Sequence, residues 1–88
     1  MVTMVTERRV LNCREVEAEY DGLWLLYDQR DFPPADDMGY VVAYGDGTAE
    51  DREALCDINH KMFNGEVLLK KGWVPRDDYI DSGVIEAL

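Results

Sequence analysis

The sequence predicts a small α+β domain, with helices packed on a three-stranded mixed sheet and the element order α-β-β-α-β. Two apolar runs of five residues, at 23–27 and 40–44, are typical of buried strands. Apolar residues recur at helical spacing before the first run and after the second. Because a chain of 88 residues has room for one hydrophobic core, residues 1–88 are expected to form a single domain.

The first predicted helix covers residues 6–19, where apolar side chains follow one helical stripe. Thr6 is its expected N-cap, since a threonine oxygen can accept a backbone N–H of the first turn. Gly22 and the aspartate before it end the helix. The first strand, residues 23–27, follows directly.

The connection between the first two strands, residues 29–38, contains two prolines and is longer than a tight hairpin requires. The second strand covers residues 40–44 and is closed by a glycine-rich turn that contains Gly45 and Gly47. We expect these two strands to pair antiparallel.

The second helix is predicted to begin after Thr48, which stands with Asp51 at the spacing of a capping box. Its apolar residues recur at steps of three and four. Asn64 and Gly65 supply a residue that readily adopts the left-handed conformation with which helices end.

The third strand is predicted at residues 66–74 and is closed by Pro75. A strand, a helix and a strand in succession usually make a parallel pair with a right-handed crossover. The sheet is therefore expected to be mixed. A fourth strand at residues 2–5 and one or two helical turns in residues 82–88 are open alternatives.

The charge balance excludes one class of partner. The chain has 19 acidic and 9 basic side chains, a formal net charge of -10 at pH 7. Direct binding to nucleic acid needs clustered cations that neutralise phosphates, and this chain offers the opposite charge.

Composition also predicts the compartment. The longest apolar runs have five residues, far fewer than a membrane span needs. Residues 1–6 lack the cationic start and apolar stretch of a secretory signal. Two cysteines are too few for the disulfide framework of a small secreted domain. We therefore expect no membrane association and a cytoplasmic location.

The acidic side chains are concentrated in the middle of the chain, where residues 15–57 hold thirteen acids and two arginines. A surface of this kind suits a basic protein surface on a partner, with fast and salt-sensitive association. The long connection and the start of the second helix are expected to supply the contacts. The predicted contact residues are Asp28, Asp31, Phe32, Asp36, Asp37, Glu50 and Glu53.

These observations predict a non-enzymatic protein-binding module that uses no cofactor and no metal. In its most concrete form, the module is an inhibitor that occupies the nucleic-acid-binding surface of its partner in place of DNA. Phage-encoded anti-CRISPR and anti-restriction proteins act in this manner. The competing interpretation is that surface acids simply keep a small domain soluble.

One alternative function is a self-associating structural module or accessory subunit. In that case the third strand is an unpaired edge, and an apolar patch closes a homodimer. The patch would consist of Trp73, Val84, Ile85 and Leu88.

The other alternative is a metal- or thiol-dependent enzyme that uses Cys56 and His60, which share one helix face at a spacing of four. Cys13 would be the third metal ligand. A pair at helical spacing arises easily by chance, and acidic neighbours of Cys56 oppose formation of a thiolate. The enzyme interpretation therefore ranks last.

Two segments carry a resemblance to other proteins. YDGLWL at residues 20–25 and YVVAYG at residues 40–45 are followed by a helix that contains Ala49 and Ala54. Together they resemble small prokaryotic domains of unknown function. The resemblance covers about half of the chain and implies a β-β-α-β core, without implying an activity.

Overall fold

The computed structural model describes residues 1–73. These residues form an α+β fold, as predicted from the sequence. The elements in chain order are β1 (Thr3–Met4), β2 (Leu11–Asn12), α1 (Cys13–Glu19), β3 (Trp24–Asp28), a 3-10 turn (Pro34–Asp36), β4 (Met38–Gly45), α2 (Ala49–Phe63) and β5 (Leu68–Lys71).

The long hairpin of β3 and β4 is the centre of the sheet, whose main strand order is β1-β4-β3-β5. The short strand β2 pairs with the other end of the β4 edge that β1 uses, through Leu11 opposite Gly39. Every strand pair is antiparallel. The prediction of a three-stranded mixed sheet is therefore wrong in strand number and direction, although the antiparallel pairing of its first two strands is confirmed.

The strand direction differs from the prediction for a topological reason. Because β3 pairs antiparallel with both β4 and β5, the latter two strands run in the same direction, as a crossover through α2 favours. They are not neighbours, however, since β3 lies between them. Within residues 1–73 no two strands therefore pair parallel, and the parallel bridge between Asp21 and Gly72 lies outside the strands.

The beginning of α1 also differs from the prediction, because residues 6–10 form no regular element and residues 11–12 form β2 instead of helix. The N-cap is Asn12, not Thr6: the Asn12 side chain accepts a bond from the Glu15 backbone N–H at 2.8 Å, and the Glu15 carboxylate accepts the Asn12 N–H at 2.9 Å. This reciprocal capping box fixes the start of a helix of only seven residues.

The ends of α2 confirm the prediction. Thr48 accepts a hydrogen bond from the Asp51 backbone N–H at 3.2 Å, and the helix ends at Asn64 with φ of 59°. Gly65 follows, also with positive φ. β5 is confirmed as a strand but is shorter than predicted. Pro75 and the tail that follows it lie outside the described residues.

The two helices cover opposite faces of the sheet, and each face has its own core. The α1 face buries Leu11, Val16, Leu25, Tyr27 and Val41. The α2 face buries Leu26, Ala43, Leu55 and Val67. A β-bulge places Val41 and Ala43 of β4 on opposite faces of the sheet. The register shifts between Leu26 and Tyr27 and leaves one extra residue in β4 between these two.

Candidate protein-binding surface

The connection between β3 and β4 carries three exposed carboxylates at one end of the sheet. Asp31, Asp36 and Asp37 are exposed, and none of them belongs to an ion pair within residues 1–73. Asp37 ends the 3-10 turn in the left-handed conformation, with φ of 53°. We call these three residues the loop cluster.

Phe32 anchors this connection to the sheet. Its ring packs against that of Tyr40 with 5.4 Å between centroids, and the Arg8 guanidinium lies 5.5 Å from the Tyr40 centroid on β4. Phe32 is half-buried, so part of the ring remains accessible beside the loop cluster.

Asp28, also predicted as a contact, has a structural position instead. It is largely buried at the end of β3, and its two carboxylate oxygens accept bonds from the Arg30 guanidinium, each at 3.0 Å. The Arg30 backbone N–H donates a third bond to it at 3.0 Å. The side-chain bonds from Arg30 are the main cause that lowers the pKa of Asp28. We therefore leave Asp28 out of the contact surface.

The start of α2 carries the second group of predicted contacts, at the other end of β4. Glu50 and Glu53 are exposed and belong to no ion pair among the described residues. We call them the helix cluster. Asp57 continues the same stripe at steps of three and four and pairs with Lys61 at 2.9 Å.

Asp51, between the two residues of the helix cluster, points the other way. It is buried and accepts the Asp46 backbone N–H and the amine of Met1, each at 2.7 Å. The bond from this amine is the largest of the causes that lower the pKa of Asp51. Within one turn of helix, one carboxylate therefore stabilises the fold and two face solvent.

The two clusters are separated by the length of the sheet. β4 places their attachment points about 23 Å apart at the usual rise of a strand. α2 runs back along that length, and its last turn reaches the base of the loop, where the Arg30 guanidinium lies 5.6 Å from the Phe63 ring and 3.6 Å from Glu66. The carboxylates therefore follow a line along α2 and do not form one compact patch.

The residues of the enzyme alternative are not brought together. Cys13 lies on the α1 face and Cys56 on α2, with the sheet between them. Within residues 1–73 no hydrogen bond joins the Cys56 thiol to His60, and no group of three metal-ligating side chains is present. Cys13 instead contacts Lys70 on β5, which lies 57 positions away and was not predicted from the sequence.

A groove of about 280 Å³ lies on the α1 face between the N-terminal segment and the sheet. Its apolar side includes Leu11 and Val41, and its aromatic side is the tilted pair of Tyr20 and Tyr44, with 5.3 Å between centroids. Arg9 at its rim is held by two bonds to Glu19, at 3.1 and 3.2 Å. The cation of the groove is therefore already paired, and Glu7 also lines the groove.

The residues of the self-association alternative are only partly described. β5 is an edge strand of the described sheet, and Leu68 on it is 49% exposed. Trp73 beyond its end is exposed as well, whereas Val84, Ile85 and Leu88 lie outside the described residues. Two lysines in a strand of four residues are typical of edges protected against further pairing.

Neither helix in residues 1–73 is long and apolar enough to cross a bilayer. Comparison with known proteins gives no match to a family model, to a curated protein or to a solved structure. The resemblance to small prokaryotic domains therefore remains a prediction that rests on the residues quoted for it.

Proposed function

We propose that this chain is an acidic, non-enzymatic module that covers a basic surface on a partner protein. The observation that carries the proposal is the set of exposed carboxylates that no ion pair within residues 1–73 neutralises. Five of them form the loop cluster and the helix cluster, namely Asp31, Asp36, Asp37, Glu50 and Glu53, whereas Glu7 and Glu15 lie outside both clusters.

Neutralisation matters because a carboxylate bound to an internal cation contributes little field at a distance. Such ion pairs join Glu17 to Lys70, Glu19 to Arg9 and Asp28 to Arg30. The loop cluster and the helix cluster have no such partner within residues 1–73. Both clusters are exposed, so that an approaching basic surface can contact them directly.

The linear arrangement supports the more specific form of the proposal, an inhibitor that occupies a nucleic-acid-binding surface. Along α2, Glu50 and Glu53 are about 4.5 Å apart at the helical rise per residue, and Asp57, which is paired with Lys61, follows about 6 Å further on. Phosphates of one DNA strand follow one another about every 3.4 Å of the duplex axis. Glu50 and Glu53 therefore offer a basic groove two carboxylates that no ion pair within residues 1–73 neutralises, at a spacing wider than that of successive phosphates.

The other parts of the proposal follow from the same surface. The partner is a protein with a basic groove, and the module itself binds neither nucleic acid nor membrane. It acts in the cytoplasm, without a cofactor and without a metal.

The test starts from capture of basic proteins by the immobilised chain from a lysate of its native host, with identification by mass spectrometry. The binding kinetics of the purified partner are then measured across a salt series. Because the contacts are electrostatic, we expect the association rate to fall steeply with salt. Duplex DNA should compete with the module for the partner.

Matched variants that each remove one charge locate the surface. Glu53→Gln and Asp36→Asn should each lower the association rate several-fold, whereas Glu7→Gln, an exposed acid outside both clusters, should leave it unchanged. An affinity indifferent to salt would contradict the proposal, and so would an equal effect of all three variants. Binding that DNA does not compete with would contradict the inhibitor form alone.

Self-association is the second candidate, and the exposed Leu68 on the edge strand β5 is the observation in its favour. Sedimentation of the free chain distinguishes the two functions. A stable dimer that dissociates on Leu68→Lys or Trp73→Ala would favour the structural module. A monomer at all concentrations would rule this candidate out.

A further inference from the structure

The Cys13 thiol lies beside a cation that comes from the far end of the described chain. Its Sγ is 3.0 Å from the Nζ of Lys70 on β5. The Lys70 side chain is only 15% exposed, and its ammonium lies 5.8 Å from the centroid of the Tyr27 ring. Cys13 itself is half-buried.

Two contacts hold the ammonium of Lys70 in this position, one with Glu17 and one with the Tyr27 ring. Lys70 forms an ion pair with Glu17, and the other oxygen of that carboxylate accepts the Trp73 backbone N–H at 2.6 Å. Tyr27 is fixed in turn, because its hydroxyl donates to the Leu11 carbonyl at 2.5 Å. Burial works against the charge on Lys70, but its bonds to Glu17 and Cys13 outweigh burial and raise the pKa of the ammonium.

We propose that Cys13 is a modification site at which the thiolate reacts with hydroperoxides and other small electrophiles, with Lys70 as its positioning residue. A thiolate, not a thiol, is the nucleophile, and a cation in contact with the sulfur stabilises it. The Cys13 thiol also donates a bond to the Glu17 carboxylate at 3.9 Å, which opposes this effect, but that carboxylate is itself bound by Lys70 and by the Trp73 backbone N–H. The neutral Tyr27 phenol faces the site from β3.

The oxidation balances with the hydroperoxide as the only co-reactant. The thiolate attacks the terminal peroxide oxygen, so that an S–O bond forms and the O–O bond breaks. The sulfur loses two electrons and becomes a sulfenic acid, and the peroxide is reduced to an alcohol or to water. The leaving oxygen takes a proton from solvent.

The second cysteine cannot resolve this product within the same molecule. Cys56 lies on the opposite face of the sheet, so that no intramolecular disulfide can form without unfolding. The sulfenic acid is therefore expected to persist until a low-molecular-weight thiol converts it to a mixed disulfide.

Cys56 is also the internal control for the test, because both cysteines are half-buried and only Cys13 contacts a cation among the described residues. Alkylation by iodoacetamide is measured for Cys13 in the Cys56→Ser variant and for Cys56 in the Cys13→Ser variant. Hydrogen peroxide oxidation is followed in parallel by trapping the sulfenic acid with dimedone. At neutral pH we expect Cys13 to react about tenfold faster than Cys56 in both assays.

Replacement of Lys70 separates thiolate stabilisation from mere accessibility. Lys70→Met should lower the rate of Cys13 about tenfold at neutral pH, Lys70→Arg should retain most of it, and the rate of Cys56 should not change. At a pH where both thiols are fully ionised, the difference between the wild type and Lys70→Met should disappear.

Three results would overturn the proposal: a Cys13 rate no higher than that of Cys56, an unchanged Cys13 rate in Lys70→Met, or a difference that persists at high pH. If Lys70→Met does not fold, which circular dichroism would reveal, the comparison of Cys13 with Cys56 in the single-cysteine proteins and the Lys70→Arg variant still decides.

Discussion

The two faces of the sheet are built by different means. On the α2 face, a helix of fifteen residues covers Leu26 and Ala43 with Leu55, a purely apolar contact. On the α1 face, a helix of seven residues contributes one fully buried side chain, Val16, to a core that also contains the Tyr27 hydroxyl. The polar contacts of Lys70 lie beside this α1-face core.

The difference indicates a division of roles between the faces. A helix of seven residues is too short to be stable alone, so that α1 depends on its capping box and on ion pairs with neighbouring elements. Such contacts are weaker than apolar burial, but they bring charged and nucleophilic groups together. The α2 face is therefore expected to carry most of the stability, and the α1 face the chemistry of Cys13.

Truncation of the buried residue in each helix tests this difference most directly. Leu55→Ala should lower the free energy of unfolding by about 2–5 kcal/mol, because it leaves a cavity in a closed apolar contact. Val16→Ala should cost about 2 kcal/mol, since it removes two carbons instead of three. Urea unfolding monitored by circular dichroism measures both. Equal costs would mean that the α1 face contributes as much as the α2 face.

The hydroxyl of Tyr27 tests the polar part of the α1 core. Tyr27→Phe removes the donor to the Leu11 carbonyl and leaves this acceptor unsatisfied beside the core, which should cost about 1–3 kcal/mol. Tyr40→Phe is the matched control, because the Tyr40 ring packs at the half-exposed loop and should cost less than about 0.5 kcal/mol. If both variants lose the same free energy, the buried bond is unimportant and the face is held by ring packing alone.

Local sequence signals are sufficient to predict the elements of the α2 face. The apolar runs of β3 and β4 are continuous. The ends of α2 are marked by the Thr48 side chain, which caps the first turn, and by the left-handed backbone of Asn64. Information of this range can be read without knowledge of the fold.

The elements of the α1 face could not be predicted in the same way. β1 lies within residues 2–5, where a fourth strand was an open alternative, but its two residues are too few to show an alternating pattern. β2 is equally short, and Leu11 fits a helical stripe as well as a strand. The insertion of β3 between β4 and β5 is a property of the whole sheet.

The same distinction holds for the candidate site residues. Exposed acids such as Asp36 and Glu53 follow from composition and from their place in a loop or at a helix start. The pairing of Asp28 with Arg30 joins residues only two positions apart, a range within which a sequence can indicate an ion pair. The contact between Cys13 and Lys70 joins residues 57 positions apart, and no local pattern indicates it.

The two helix caps give a finer comparison of the faces. Asn12→Ala removes the capping bond of α1 and should cost about 1 kcal/mol, with loss of helical signal from a helix that has few other contacts. Thr48→Ala removes a single bond from a helix that tertiary contacts stabilise. It should cost a similar free energy but leave the helical content of α2 unchanged. Hydrogen exchange of the backbone amides distinguishes local fraying from a uniform loss. Fraying of α2 in Thr48→Ala would contradict the division between the faces.

The smallest effects concern two ion pairs that should respond to opposite ends of the pH scale. The pKa of Asp28 is lowered from 3.8, first by its bonds from Arg30, so that its contribution to stability is present above that value and is lost as the pH falls through the folded-state pKa. The pKa of Lys70 is raised from 10.5, although its burial acts in the other direction, because its bonds to Glu17 and Cys13 prevail. Its contribution is therefore present below 10.5 and is lost as the pH rises beyond that value.

Each pair should contribute about 1 kcal/mol or less at neutral pH, since both have partly exposed members. The measurement is the difference in free energy of unfolding between wild type and variant as a function of pH. For Asp28→Asn this difference should shrink below about pH 4, whereas for Lys70→Met it should shrink only above about pH 10.5. Asp36→Asn, which removes an unpaired carboxylate, is the control and should be neutral or slightly stabilising. If both differences in free energy vanished at the same end of the pH scale, the opposite directions of the Asp28 and Lys70 pKa shifts would be contradicted.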